Sequence, residues 1–130
     1  MKLLLDTHVW LWSLIEPEKL STRVRKELAE AGNELWLSPI SLWEVLILCE
    51  RGRLELEPDP DRWIEDALEK APLIEAPLTH RIARRISRVD LPHRDPADRF
   101  LAATAVALDL SLVTADKRLI ECQGIRVLAT

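Results

Sequence analysis

The chain has 130 residues, of which 48% are hydrophobic and 31% charged, with a formal net charge of −4. That length supports one hydrophobic core and not two ordinary ones, and the balance excludes a disordered or membrane-embedded chain. The acidic excess argues against broad electrostatic adhesion to nucleic acid, although it leaves room for a local basic patch.

In chain order, Leu3–Leu5 reads as a short all-apolar strand ending abruptly in Asp6. A helix is predicted from Thr7 to about Ile15, stopped by Glu16-Pro17-Glu18. Ser21 caps a second helix running to about Ala31, with Gly32-Asn33 as its stop. Leu35–Leu37 is a second apolar strand. Ser38-Pro39 supplies an N-cap and a proline at the first helical position, opening a helix to Arg51 that Gly52 closes. Pro58-Asp59-Pro60 is a turn, followed by a helix over Asp61–Lys70, a short strand over Leu73–Ala76 and a helix over Thr79–Val89. Asp95-Pro96 opens a further helix to Leu108. Leu110–Val113 and Arg126–Leu128 complete the strands.

Strands that are apolar on both faces and alternate with helices predict an α/β fold with a central parallel sheet covered on both sides. The opening apolar run is too short for a secretory segment and no later stretch approaches a membrane span, so a cytoplasmic protein is expected. Cys49 and Cys122 lack metal-ligand spacing and are expected to be packing residues.

Four acids carry the functional signal: Asp6, Glu44, Asp98 and Asp116. Asp6 ends the first strand and Asp116 follows LSLVT by two residues, so a parallel sheet places both at carboxyl ends of strands, where open α/β sheets bind ligands. Each also has a local reading. Asp6 can cap the helix after it, Asp98 can be the third residue of a helix capped by Asp95, Asp116 can cap a turn, and Glu44 can form a capping box with Ser41. The local reading is weakest for Glu44. It lies inside its helix with Ile40, Ile47 and Leu48 on the same face, and a carboxylate facing a core is costly unless paired or bound to a cation. Asp98 similarly shares its face with Leu101, Ala102 and Ala105. Carboxylates gathered in one pocket repel, so either some hold protons or a cation compensates them. All-oxygen ligation favours Mg²⁺ or Mn²⁺ over Zn²⁺.

The stretches LLLDTHVWLW, SPISLWEVLIL, HRDPADRFLAATA and LSLVTADKRL together resemble the PIN-domain family, specifically the VapC-type toxins of toxin–antitoxin pairs. They occur in family order and run across almost the whole chain. The resemblance implies one Rossmann-like PIN domain over residues 1–130, Mg²⁺- or Mn²⁺-dependent ribonuclease activity, a homodimer, and inhibition by a cognate VapB-type antitoxin. It places the family's acids at Asp6, Glu44, Asp98 and Asp116, with Thr7 and Thr114 as hydroxyls supporting the first and last acid. Asp95 is a fifth acid, mainly an N-cap. Asp6 and Asp98 would be the principal metal ligands, with Glu44 and Asp116 acting through water or on a second ion.

Arg94 and Arg99 flank the acids and are candidates for contact with substrate phosphate. Arg81, Arg84, Arg85 and Arg88 form one helical stripe, either a phosphate-binding track or a solvated face. The five tryptophans can stack on bases, but Trp10 and Trp43 adjoin apolar runs that suit a core or an interface. The apolar helix Ile40–Leu48 beside the first helix is where an antitoxin would bind. Two alternatives compete. A phosphatase of the haloacid dehalogenase type also opens on a strand ending in Asp, but needs a second Asp where this chain has His8. A catalytically silent PIN-like module would use the acids only to hold a stabilising ion.

Overall fold

The computed structural model describes Met1–Leu91 and Asp95–Thr130. Its centre is β1 (Lys2–Leu5), whose three consecutive leucines are buried on both faces. Alternation along the strand sends Leu3 and Leu5 into one core layer and Leu4 into the other. Full burial of each leucine is worth about 2 kcal/mol, which holds the strand ending in Asp6 at the middle of the sheet.

The flanking elements are α1 (Thr7–Ile15), α2 (Thr22–Ala29), β2 (Glu34–Leu37), α3 (Pro39–Glu50), α4 (Pro60–Lys70), β3 (Ile74–Glu75), α5 (His80–Arg85), α6 (Pro96–Ala107), β4 (Ser111–Thr114), α7 (Lys117–Ile120) and β5 (Arg126–Ala129). The five strands are parallel in the order β3-β2-β1-β4-β5. Leu4 pairs in register with Trp36 on one side and Leu112 on the other. The predicted α/β architecture is therefore the observed one. Val9, Trp10, Val24, Val45 and Ile64 from α1 to α4 cover one face, while Leu101, Ala102, Ala105 and Leu119 from α6 and α7 cover the other.

Several boundaries differ from the sequence expectation. The break after α1 contains a 3₁₀ turn over Pro17–Lys19. α2 stops at Ala29, where the Asn33 side chain donates to the Glu27 carbonyl and takes up the end of the helix. The helix predicted over Thr79–Val89 is α-helical only to Arg85 and continues as a 3₁₀ turn over Ile86–Arg88. The turn after Asp116 is a short helix, α7. At the sheet edge, β3 shrinks to Ile74–Glu75 and both residues are exposed. Gly52 closes α3 as expected, with φ of +68°. Cys49 and Cys122 are both free thiols. Among the described residues, no helix is long and apolar enough to cross a membrane.

Candidate metal centre

β1 and β4 lie side by side at the middle of the sheet, with β2 and β3 on one side and β5 on the other. The connection order reverses between them, and that crevice at the carboxyl ends is where open α/β sheets hold ligands. Asp6 leaves the end of β1 and Thr114 is the last residue of β4. The two are joined directly: Thr114 Oγ1 donates to Asp6 Oδ2 at 2.6 Å. The same oxygen accepts from the Asp116 backbone N–H at 3.0 Å, so one buried hydroxyl positions both strand-end acids.

Helices bring the other acids to this crevice. Ser38 caps α3 by accepting from the Ile40 N–H, and Pro39 fixes the first turn, which places Glu44 well inside the helix. Thr7 Oγ1, at the start of α1, stands 2.5 Å from Glu44 Oε1 and 2.9 Å from Ser41 Oγ. One hydroxyl carries both a proton and lone pairs, so it can serve both neighbours. Asp95 caps α6 by accepting from the backbone N–H groups of Ala97 and Asp98. Asp98 is thereby held in the first helical turn with only 7% of its surface exposed.

The electrostatics show that the acids act on one another. Burial raises the Asp6 carboxyl above the ordinary aspartate range, opposed by the Thr114 hydroxyl, and the charge of Asp116 pushes it the same way as burial. Glu44 is raised to about 7, chiefly by burial, with the Thr7 hydrogen bond opposing and the charges of Asp6, Asp95 and Asp98 adding to the rise. No ion pair among the described residues reaches Asp6 or Glu44. Asp116 differs, because Arg118 holds it through Nε and Nη2 while its Oδ1 caps α7.

These residues suit a hard divalent cation. The donors are carboxylate oxygens, Asp6 and Glu44 make no ion pair with a described residue, and the crevice lies at the carboxyl ends of the two central strands. Among the described residues no three His, Cys, Asp or Glu side chains already surround one point as a finished cage. Mg²⁺ and Mn²⁺ tolerate such a site, since one or two carboxylates with several waters can complete an octahedral shell.

The local readings sort differently from acid to acid. Asp6 occupies the N-cap position of α1, yet its side chain makes no capping bond and goes to Thr114 instead. Glu44 forms no capping box, because Ser38 is the cap and Ser41 turns to Thr7. Asp95 and Asp116 do cap their helices. The hydroxyl assignment implied by the resemblance needs correction: Thr7 Oγ1 serves Glu44, and it is Thr114 that supports the first acid as well as the last. Arg99 is corrected too. Its guanidinium donates to the Ile86 carbonyl at 3.1 Å and braces α6 against the segment after α5. Arg94 lies outside the described residues. Trp10 is in the core, edge-on to Trp63 with ring centroids 5.8 Å apart, whereas Trp43 is exposed on α3.

Two residues at the site take roles that the sequence reading did not give them. Ser41 is fully buried and links Thr7 to α3, and its signal was its place three residues before Glu44 on the same helical face. Arg118 was visible only as one charge in a polar turn, yet it pairs with Asp116 and also feels the charges of Asp98 and Asp95.

A parallel α/β sheet with acids gathered at its switch point defines a ligand site of the open-sheet class. The PIN domain family matches residues 3–124, and the chain belongs to that family. It is 34% identical over 119 residues to Ribonuclease VapC22 of Mycobacterium tuberculosis, an alignment covering 89% of this chain and 88% of that protein. Among solved structures it is similar to VapBC2 from Rickettsia felis bound to a promoter DNA fragment, with a TM-score of 0.74 and 15% identity over 99% of this chain and 98% of that one. DNA-bound VapBC from Salmonella typhimurium is similar with a TM-score of 0.72 and 18% identity, again over 99% and 98% of the two chains. At those identities the structural likeness is one of fold.

Proposed function

We propose that this chain is a divalent-metal-dependent endoribonuclease and the toxin of a VapBC-type pair. The observation that supports the reading is that burial, with the charges of Asp6, Asp95 and Asp98, raises the Glu44 carboxyl, while no ion pair among the described residues reaches Asp6 or Glu44. The ribonuclease named in the 34% identical relative supports it. His8 is exposed where a phosphatase of the haloacid dehalogenase type needs its second aspartate, and nothing favours that alternative.

Asp6 and Asp98 are the principal ligands in this proposal. Held by these two carboxylates, a divalent cation would supply a nucleophilic water at neutral pH and would offset charge on the phosphoryl and leaving oxygens. Glu44, held by the Thr7 hydroxyl, would orient the attacking water. Asp116 is committed to Arg118 and to the cap of α7, so it acts from outside the ligand shell. Thr7 and Thr114 fix the carboxylate directions. Purified protein incubated with total RNA is expected to release fragments with Mg²⁺ or Mn²⁺ and none with chelator; equal cleavage in chelator would refute the metal requirement.

The Thr114→Val variant keeps the shape of the side chain and removes the hydroxyl shared by Asp6 and Asp116. It should fold with a stability loss of about 1–3 kcal/mol and bind divalent cations roughly 10–100-fold more weakly. Isothermal titration checks this, and an unchanged metal affinity would remove Thr114 from the site.

The structural neighbours are VapBC assemblies, which supports a VapB-type antitoxin as partner. Trp43 and Leu46 on α3, with Leu14 and Ile15 on α1, are exposed apolar side chains on the two helices that carry Glu44 and Thr7. An antitoxin covering them could place an arginine or lysine against the site's carboxylates. A homodimer, expected from the resemblance, belongs to the same proposal.

A further inference from the structure

The fourteen residues Ala76–Val89 contain no acid in a chain holding 22, but they include Arg81, Arg84, Arg85, Arg88 and His80. α5 and the 3₁₀ turn after it fold these arginines onto one side, with Ile82 buried beneath. Arg81, Arg84, Arg85 and Arg88 line a surface hollow of about 390 Å³. None of the four makes an ion pair with a described residue. The nearby acids are accounted for: Asp90 follows the stripe in sequence, and Asp109 is held by Arg126.

The direction of the stripe matters. Arg81 Nη2 donates to the Ala107 carbonyl at the carboxyl end of α6. At the other end, the Ile86 carbonyl accepts from Arg99, which directly follows Asp98 in the first turns of α6. α5 therefore runs antiparallel to α6, and the arginines proceed along it toward the metal centre. From the helical rises, the track from Arg81 to Arg88 is about 12 Å long.

Resting on the ribonuclease reading, we infer that this arginine track is a docking site for the phosphate backbone of single-stranded RNA, delivering the strand to Asp6 and Asp98. The four guanidiniums make no ion pair with a described residue, and guanidinium forks match phosphate oxygens bidentately. A net acidic protein that handles a polyanion needs such a local attractor, because its overall field repels the substrate.

The test uses the full chain and the Arg81→Ala/Arg84→Ala/Arg88→Ala variant, with the matching triple lysine variant as control. Binding of a fluorescein-labelled single-stranded RNA of about 16 nucleotides is followed by anisotropy in chelator over a salt series. The alanine variant should bind at least 10-fold more weakly, its slope of log affinity against log salt falling by about 2, at ~0.7 per lost phosphate contact. The lysine variant should keep the slope. Cleavage of a dinucleotide with Mn²⁺, too short to reach the track, should be the same in all three proteins. An unchanged affinity and slope would overturn the track while leaving the nuclease reading intact. If wild type cleaves nothing but the alanine variant still loses binding, the nuclease reading falls and the track stands. Phosphatidylserine vesicles and poly-glutamate form the comparison arms, and tighter arginine-dependent binding to either than to RNA would overturn the RNA assignment.

Discussion

An Asp6→Asn variant is expected to fold, to lose its stabilisation by Mg²⁺ or Mn²⁺, and to cleave RNA at least about 10³-fold more slowly. The substitution keeps shape and one acceptor oxygen but removes a charge that burial already disfavours. Breaking an ion pair would strand its partner; here Asp6 makes no ion pair with a described residue, and neutralising it relieves burial and the repulsion from Asp116 while giving up the attraction of His8. In chelator the melting temperature should therefore equal or exceed that of wild type, while the increment produced by Mg²⁺ disappears. Asp98→Asn should likewise lose the increment produced by Mg²⁺ and slow cleavage. Asp116→Asn should cost only the roughly 10–100-fold typical of residues that orient ligands, because Arg118 already occupies that carboxylate. Thermal melts with and without metal, run beside gel-based cleavage, check all three. Full cleavage by either the Asp6 or the Asp98 variant would sink the ligand assignment, and a collapse of the Asp6 variant's melting temperature in chelator would mean its charge is structural.

Local chemistry made much of this fold readable. Three leucines in a row ending at Asp6 fit a strand buried on both faces, and Ser38-Pro39 and Asp95-Pro96 announce helix starts that the backbone follows. Those two starts are what turn Glu44 and Asp98 inward, so the inward acids could be deduced once helix phase was known. Hydrogen-bond partnership was not readable. Thr114 is 108 residues from Asp6, and only the β1–β4 pairing, set by strand order, makes the two neighbours. The exchange of roles between Thr7 and Thr114 arises the same way: the side chain of Thr7, on the first turn of α1, meets α3 rather than its sequence neighbour. Arg99 illustrates the opposite failure. Adjacency to Asp98 in sequence suggested adjacency to the site, but consecutive helical residues point about 100° apart, and Arg99 reaches the α5 segment instead. Short end structure, such as α7 and the 3₁₀ turns, depends on which terminal carbonyls find partners, and periodicity says nothing of that.

Glu44 makes the stability of the metal-free protein fall as pH rises. The folded carboxyl titrates at about 7 and the unfolded one near 4.5, so between those values the folded state holds more protons than the unfolded state. Stability from this group is fully present below the unfolded value and is lost as pH climbs through 7. Solvent reaches part of Glu44, so the loss is on the order of 1 kcal/mol after screening. That corresponds to a fall of roughly 4 °C in melting temperature between pH 5 and pH 8 in chelator. Asp6, shifted in the same direction by burial, adds to the slope. Divalent cation reverses the effect because it binds the ionised carboxylates, so its stabilising increment should be larger at pH 8 than at pH 5. Glu44→Gln isolates the contribution of this group. The variant should show a flatter pH profile in chelator and be more stable than wild type at pH 8, with the two proteins converging near pH 5. Parallel profiles for the two proteins would mean that Glu44 is ionised at an ordinary value and that the crevice is better solvated than its burial indicates. A flatter profile together with an undiminished Mg²⁺ increment would keep the shifted carboxyl but assign the cation to Asp6 and Asp98 alone.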